Sequence, residues 1–157
     1  TLRSVAELFV FNEAHRAEEM PFFAQEMLVG AQVKGPLTER AYRNARELCL
    51  NLARTEGIDA VMDANRLDAL FALTNGPAAP TDLVNGDRGT GSSAALAAVA
   101  GYPSVTVPAA QVSGLPVGGS VFWRAGSEAE LLGYAADFET RTRARREPKF
   151  LPTLVVP

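Results

Sequence analysis

Apolar positions along this chain recur with two different periods, and the change from one to the other divides it. From Val5 to Asn65 they return every three or four residues, the spacing of amphipathic helices. Val5, Leu8, Phe9 and Asn12 predict a first helix with one face mostly buried. Ser4 and Glu7 form a capping box at its start, each side chain placed to bond the other residue's amide. Pro21 separates a second helix, predicted over Phe22–Val33 and stopped by Gly35-Pro36. Thr38 is the predicted cap of a third, with Leu37 and Tyr42 as a hydrophobic staple and Ala41, Ala45, Leu48 and Leu52 as its apolar stripe. Gly57 breaks that pattern and predicts a kink before a continuation over Ile58–Asn65.

Between Leu67 and Trp123 short apolar runs alternate with Gly- and Pro-rich turns. Asp68–Leu73 is a continuous run bounded by Thr74-Asn75-Gly76-Pro77 and predicts a buried strand. Thr74–Thr90 then predicts a long loop, of the kind that often carries function. Gly89-Thr90-Gly91-Ser92-Ser93 opens a predicted helix over Ala94–Ala100, ended by a left-handed Gly101. A second buried strand is predicted over Ser104–Val107, closed by Pro108. A turn at Ser113–Pro116 leads to a third strand, Val117–Trp123, whose Gly118 and Gly119 admit close backbone approach. Ser127 and Glu130 predict another capping box, opening a helix that turns Leu131, Ala135 and Phe138 to the core. The tail from Pro148 to Pro157 is apolar, punctuated by proline, and expected along the surface. With no repeat and no linker in view, residues 1–157 are expected to form one compact piece. Strands separated by helices predict an α/β arrangement, and three strands alone would leave open sheet edges.

Composition narrows the function classes. Apolar residues make up 47% and charged residues 21%, an ordinary globular balance. The net charge of −3 argues against a general nucleic-acid binder. No apolar run approaches the roughly 20 residues needed to span a bilayer. Cys49 is the lone cysteine, so neither an intrachain disulfide nor a cysteine zinc site can form, and it is expected as a small core residue. His15 is the lone histidine and is expected to cap or half-bury at the end of the first helix. The chain opens at Thr1, directly before a helix cap, as expected of the later part of a longer protein. The compartment is unreadable for the same reason, with the cytoplasm favoured.

Several stretches offer chemistry. Free amides at the Gly89–Ser93 helix start could bind an anion or an oxyanion, although Ser92 or Ser93 acting as a simple cap is favoured. No lysine follows the glycines, so this is not a Walker loop, and no Gly-x-Ser-x-Gly occurs. The lysines, Lys34 and Lys149, follow no strand or loop that would hold them beside a serine. Asp63, Asp82 and Asp87 lack a ligand spacing and read better as solvated charges than as a metal site. Arg40, Arg43, Arg46 and Glu47 read as a solvated helix face. Arg141, Arg143, Arg145, Arg146 and Lys149 complement a helix C-terminus better than they suit a partner-binding patch.

The ordered set Leu67-Asp68-Ala69-Leu70, Thr74-Asn75-Gly76-Pro77, Ala100-Gly101-Tyr102-Pro103-Ser104-Val105-Thr106-Val107-Pro108 and Gly114-Leu115-Pro116-Val117-Gly118 resembles the C-terminal third of an amidase-signature hydrolase. The resemblance is nearest to the peptide-amidase and glutamyl-amidotransferase A-subunit type and covers essentially the whole chain. It implies a partial mixed sheet flanked by helices, from the C-terminal portion of an α/β/α fold. It implies hydrolysis of carboxamides by a Ser–cis-Ser–Lys triad, without metal or cofactor. That triad would lie upstream, so no catalytic residue is assigned here and the chain alone is expected to be inactive. Gly91-Ser92-Ser93-Ala94-Ala95 looks superficially like the family's Gly/Ser signature, but the segment that follows it belongs to the C-terminal region. What remains is pocket wall, with Thr74, Asn75 and Asp82 as candidates to contact a small amide substrate; turn stabilisation by the same side chains is the competing reading. The alternative function is a stand-alone, non-catalytic module that binds a small anion at Gly89–Ser93 or self-associates through its exposed sheet surface. Neither reading involves nucleic acid or membrane.

Overall fold

A computed structural model describes residues 2–87 and 89–150. The last seven residues of the expected surface tail lie outside the described residues. The chain forms two compact units, Thr1–Asn44 and Ala45–Pro157.

The first unit contains α1 (Val5–Ala14), α2 (Arg16–Glu19), α3 (Glu26–Gln32) and the start of α4 (Arg40–Ala53). Ser4 caps α1 as expected, its hydroxyl accepting from the Glu7 amide at 3.1 Å. Glu7 reaches back one residue further than the capping box predicts and accepts from the Arg3 amide at 2.7 Å. His15 ends α1: its Nδ1 lies 2.8 Å from the Phe11 carbonyl, which places the proton on that nitrogen, and its ring stacks on Phe11. The second helix is shorter than its predicted span. Gln25 lies buried outside it, accepting from Asn12 Nδ2 at 3.2 Å and donating to the Phe9 carbonyl and to Glu13. Those bonds hold Gln25 at φ −110°, ψ 42°, outside helical geometry, so α3 starts only at Glu26. The predicted buried face of α1 is only half-buried, with Leu8, Phe9 and Asn12 partly covered and Val5 exposed.

The stripe on α4 does not form core along its length. Leu48 is 57% and Leu52 53% exposed, and Cys49 is exposed rather than a small core residue. Periodicity marks a face as apolar without supplying what covers it. At the predicted kink a π-helical turn, Arg54–Ile58, joins α4 to α5 (Asp59–Asn65). A Cβ on Gly57 would stand 2.5 Å from the Leu52 carbonyl oxygen, a backbone atom that cannot step aside. Gly57→Ala is therefore expected to lower stability by about 1–3 kcal/mol, read as a fall in the urea midpoint with an unchanged slope.

The second unit is layered as helix, sheet, helix. Strands β1 (Leu70–Leu73), β2 (Ser104–Val112) and β3 (Leu115–Phe122) form an antiparallel sheet in the order β1-β3-β2. On one face Leu70, Ala72 and Phe122 meet Ala53, Ile58 and Met62, and Ala97 and Ala100 of α6 (Ala94–Ala100). On the other lie Val107, Val117 and Val121, buried with Leu131 and Ala135 of α7 (Glu128–Thr142). The predicted core face of α7 is observed, with Phe138 packed on Phe71 at a ring separation of 5.4 Å.

β1 is an edge strand rather than a fully buried one: Phe71 and Leu73 are 52% and 60% exposed. β2 runs through Pro108 instead of closing there. A bulge falls between Pro108 and Ala110, and an edge strand tolerates the missing N–H. Ser113 and Gly114, at φ 50° and 79°, make the two-residue turn that joins β2 to β3. Ser127 precedes α7, but its hydroxyl donates to the Arg124 carbonyl at 2.7 Å instead of forming the predicted capping box.

Candidate functional site

The long loop after β1 is closed at its base by backbone bonds. The Thr74 amide donates to the Gly118 carbonyl at 2.8 Å, and the Ser93 amide to the Thr74 carbonyl at 3.2 Å. Asn75 pairs with Ser92 as an isolated antiparallel bridge. The β1 exit, two of the sequence-proposed residues and the Gly/Ser helix start thus share one corner. Thr90 packs over Gly76, where any Cβ would collide with it.

Three hydroxyls converge there on the sheet face that carries Ala72 and Phe122. Thr74 Oγ1 lies 2.7 Å from Ser120 Oγ, Thr106 Oγ1 lies 2.9 Å from Ser120 Oγ, and Thr74 donates to Thr106 at 3.5 Å. Gly118 makes this approach possible, since a Cβ there would meet Thr106 Cγ2 at 2.9 Å and Thr74 Oγ1 at 3.0 Å. Sequence reasoning singled out Thr74 but missed Thr106 and Ser120. Their signal was a hydroxyl residue within each of two valine-containing strands, Thr106 exposed and Ser120 buried.

The Gly/Ser helix start is partly self-satisfied. Ser93 holds the N-cap position of α6 without a side-chain cap bond, and Ser92 Oγ, one residue earlier, accepts from the Ala94 amide at 3.1 Å. Ser93 is buried, and its hydroxyl has no partner among the described residues. Gly101 ends α6 at φ 67° as predicted, with the Tyr102 amide returning to the Ala97 carbonyl at 3.0 Å.

Asp82 is occupied within its own loop. Its carboxylate accepts from the Val84 and Asn85 amides, each at 2.9 Å, and from Asn85 Nδ2 at 3.0 Å. The Asn85 amide, the Asn85 side chain and the Val84 amide all favour the charged form and hold its pKa below the ordinary value of 3.8. The folded pKa is depressed, so the turn gains from this group above the ordinary value and loses that gain as pH falls through the lower folded one. Asp82→Ala is expected to open the turn, measured as faster protease cleavage between residues 82 and 87 at neutral pH. Cleavage at the wild-type rate would show that the carboxylate does not hold the loop.

A second cluster lies at the far end of the sheet. The Tyr102 hydroxyl donates to Asp59 at 3.0 Å, and Arg124 Nε sits 3.2 Å from Asp59 Oδ1. Arg124 also bonds the Asp63 carboxylate, so Asp63 is spent on an ion pair. Arg54 lies over the Tyr102 ring at 5.2 Å. Burial, and then the Asp59 contact, push the Tyr102 pKa up. The cluster ties α5, the α6–β2 turn and the end of β3 together. No group of three metal-ligating side chains converges among the described residues, and no described helix is long and apolar enough to cross a membrane.

An open groove of about 580 Å³ runs between β1 and α7, lined by Phe71, Val121, Tyr134, Asp137, Phe138 and Arg141. Arg141 pairs there with Asp137 at 2.7 Å, one turn away on α7. Arg141 lies in the last turn of α7, where a cation was expected to complement the helix end, and its side chain is engaged by this ion pair.

The chain as a whole has close counterparts in solved structures. Native peptide amidase from Stenotrophomonas maltophilia is 48% identical, with a TM-score of 0.86, over 95% of this chain and 30% of its own. The chain resembles a segment of peptide amidase. A second peptide amidase structure, bound to the competitive inhibitor chymostatin, is 49% identical over the same shares, with a TM-score of 0.89. A probable amidase of Arabidopsis thaliana is 30% identical over 96% of this chain and 26% of its own length. No family model matches the sequence. The chain therefore spans between a quarter and a third of the amidases it resembles, with the α/β arrangement of that segment.

Proposed function

We propose that this chain is the C-terminal part of an amidase and supplies one wall of its substrate pocket. The observation that carries the reading is likeness to peptide amidase over 95% of the chain, at 49% identity. The reaction is hydrolysis of a carboxamide to a carboxylate and ammonia. A serine hydroxyl attacks the carbonyl carbon, its proton passes to the leaving nitrogen, and the C–N bond breaks. Water then attacks the resulting ester, releasing the acid and restoring the serine. Those reacting groups belong to upstream sequence, the Ser–cis-Ser–Lys triad that the resemblance implies.

Within this chain, Thr74 and Asn75 are the residues proposed to face the amide. Asn75 offers two donors and an acceptor, and Thr74 one donor and two lone pairs, which suits a group carrying both an N–H and a carbonyl. Asp82 belongs to the same loop, and its proposed part is to hold the wall in shape rather than to bond substrate, since its carboxylate already accepts three hydrogen bonds. The test is ammonia release from C-terminal peptide amides by the polypeptide read from the extended upstream frame. Release at enzymatic rates supports the proposal, and an upstream frame without a lysine and two serines ends it.

A further inference from the structure

We infer that Ser120 is a positioning residue that sets how the Thr74 hydroxyl presents itself to the substrate amide, an inference that rests on the amidase reading above. Ser120 is 1% exposed on the middle strand of the sheet, so its proton cannot go to bulk water. A hydroxyl has one proton to give and two lone pairs. The oxygens near it are Thr74 Oγ1 at 2.7 Å and Thr106 Oγ1 at 2.9 Å. Thr74 and Thr106 stand 3.5 Å apart, the outer limit of a hydrogen bond, so Ser120 is the hub of the three.

Two proton arrangements satisfy the buried hydroxyl. When Ser120 donates to Thr106, Thr74 donates to Ser120 and turns only lone pairs outward, ready to accept from an amide N–H. When Ser120 donates to Thr74, the Thr74 proton is held only by the 3.5 Å contact to Thr106 and can turn to a carbonyl oxygen. A carboxamide offers partners for both arrangements, whereas the carboxylate product offers only acceptors. Ser120 therefore couples the polarity of Thr74 to a strand residue, Thr106, that reaches the surface. Without Ser120, Thr74 has no fixed partner within the sheet except the long contact to Thr106.

The test is a double-mutant cycle in the full-length parent with a C-terminal peptide amide as substrate. Thr74→Val and Ser120→Ala are each expected to raise KM about tenfold, the effect of one hydrogen bond, with kcat within about twofold. The double variant is expected to be no worse than Thr74→Val alone, because both changes remove the same interaction. Thr74→Ser, which keeps the hydroxyl, is expected to recover the KM lost in Thr74→Val. Independent, multiplying effects overturn the inference, as does a Ser120→Ala enzyme with lowered melting temperature and unchanged KM. If Ser120→Ala does not fold, Thr106→Val replaces it in the cycle, and additivity with Thr74→Val then overturns the relay. A parent inactive toward every peptide amide removes the amidase reading and this inference with it, whereas an active parent with an additive cycle removes the inference alone.

Discussion

The 157-residue chain, expressed alone, is expected to release no ammonia from peptide amides at concentrations where a peptide amidase turns them over. The expected loss is complete, at least about a millionfold on the scale of ordinary enzymatic acceleration. A nucleophilic serine needs a base within hydrogen-bond reach. The serine hydroxyls with partners among the described residues are all bound to backbone groups or to other hydroxyls. Ser4 accepts from the Glu7 amide, Ser92 from the Ala94 amide, Ser127 donates to the Arg124 carbonyl, and Ser120 lies between two threonines. His15, the lone histidine, turns Nδ1 to the Phe11 carbonyl. Ammonia measured by a coupled assay over hours decides the matter. Turnover by the chain alone would mean that a nucleophile and its base lie within these residues after all.

The largest stability effect is expected at Phe122. It is 3% exposed and joins the sheet to Ile58, Met62, Ala97 and Ala100 in a single cluster. Truncation to alanine removes the whole ring from a site whose neighbours belong to a kinked helix, a short helix and the sheet, none of which can collapse into the gap independently. Phe122→Ala is expected to cost about 3–5 kcal/mol, seen as a large fall in the urea midpoint. A loss below about 1 kcal/mol would mean that the helix-side layer is loosely packed and that α7 on the opposite face holds the sheet. Leu131→Ala, on that opposite face, separates the two layers, since Leu131 is fully buried there and does not belong to the Phe122 cluster.

What could be read in the sequence, and what could not, follows the range of the interactions involved. Thr74 and Asn75 stand out as loop polar residues at a strand exit, and the structure brings them against Ser92 and Ser93. Thr106 and Ser120 were not legible as partners of Thr74. They lie 32 and 46 residues from it, and only the antiparallel register places the three hydroxyls on one face. Asp82 was legible as a loop carboxylate, but the turn it closes depended on the path of its own backbone, which returns two amides to it. The Asp59–Tyr102–Arg124 cluster left no sequence signal either, because its members come from three separate elements.

The sequence by itself determined the local features. They include the Ser4 cap, the Gly57 kink, the left-handed stop at Gly101, the tight turn at Ser113-Gly114 and the inward face of α7. Each rests on a few neighbouring residues and on steric preferences that act over a single turn of chain. Tertiary structure alone decided which apolar faces are covered. Leu48 and Leu52 carry a helical stripe yet face outward, and Phe71 and Leu73 lie on an edge strand rather than inside a sheet. It also decided the partners of the buried polar groups, turning the Ser127 hydroxyl to the Arg124 carbonyl and setting Ser120 between two threonines. Burial and hydrogen-bond pairing depend on segments far apart in the chain, and no local pattern of hydrophobic and polar residues encodes which of them will meet.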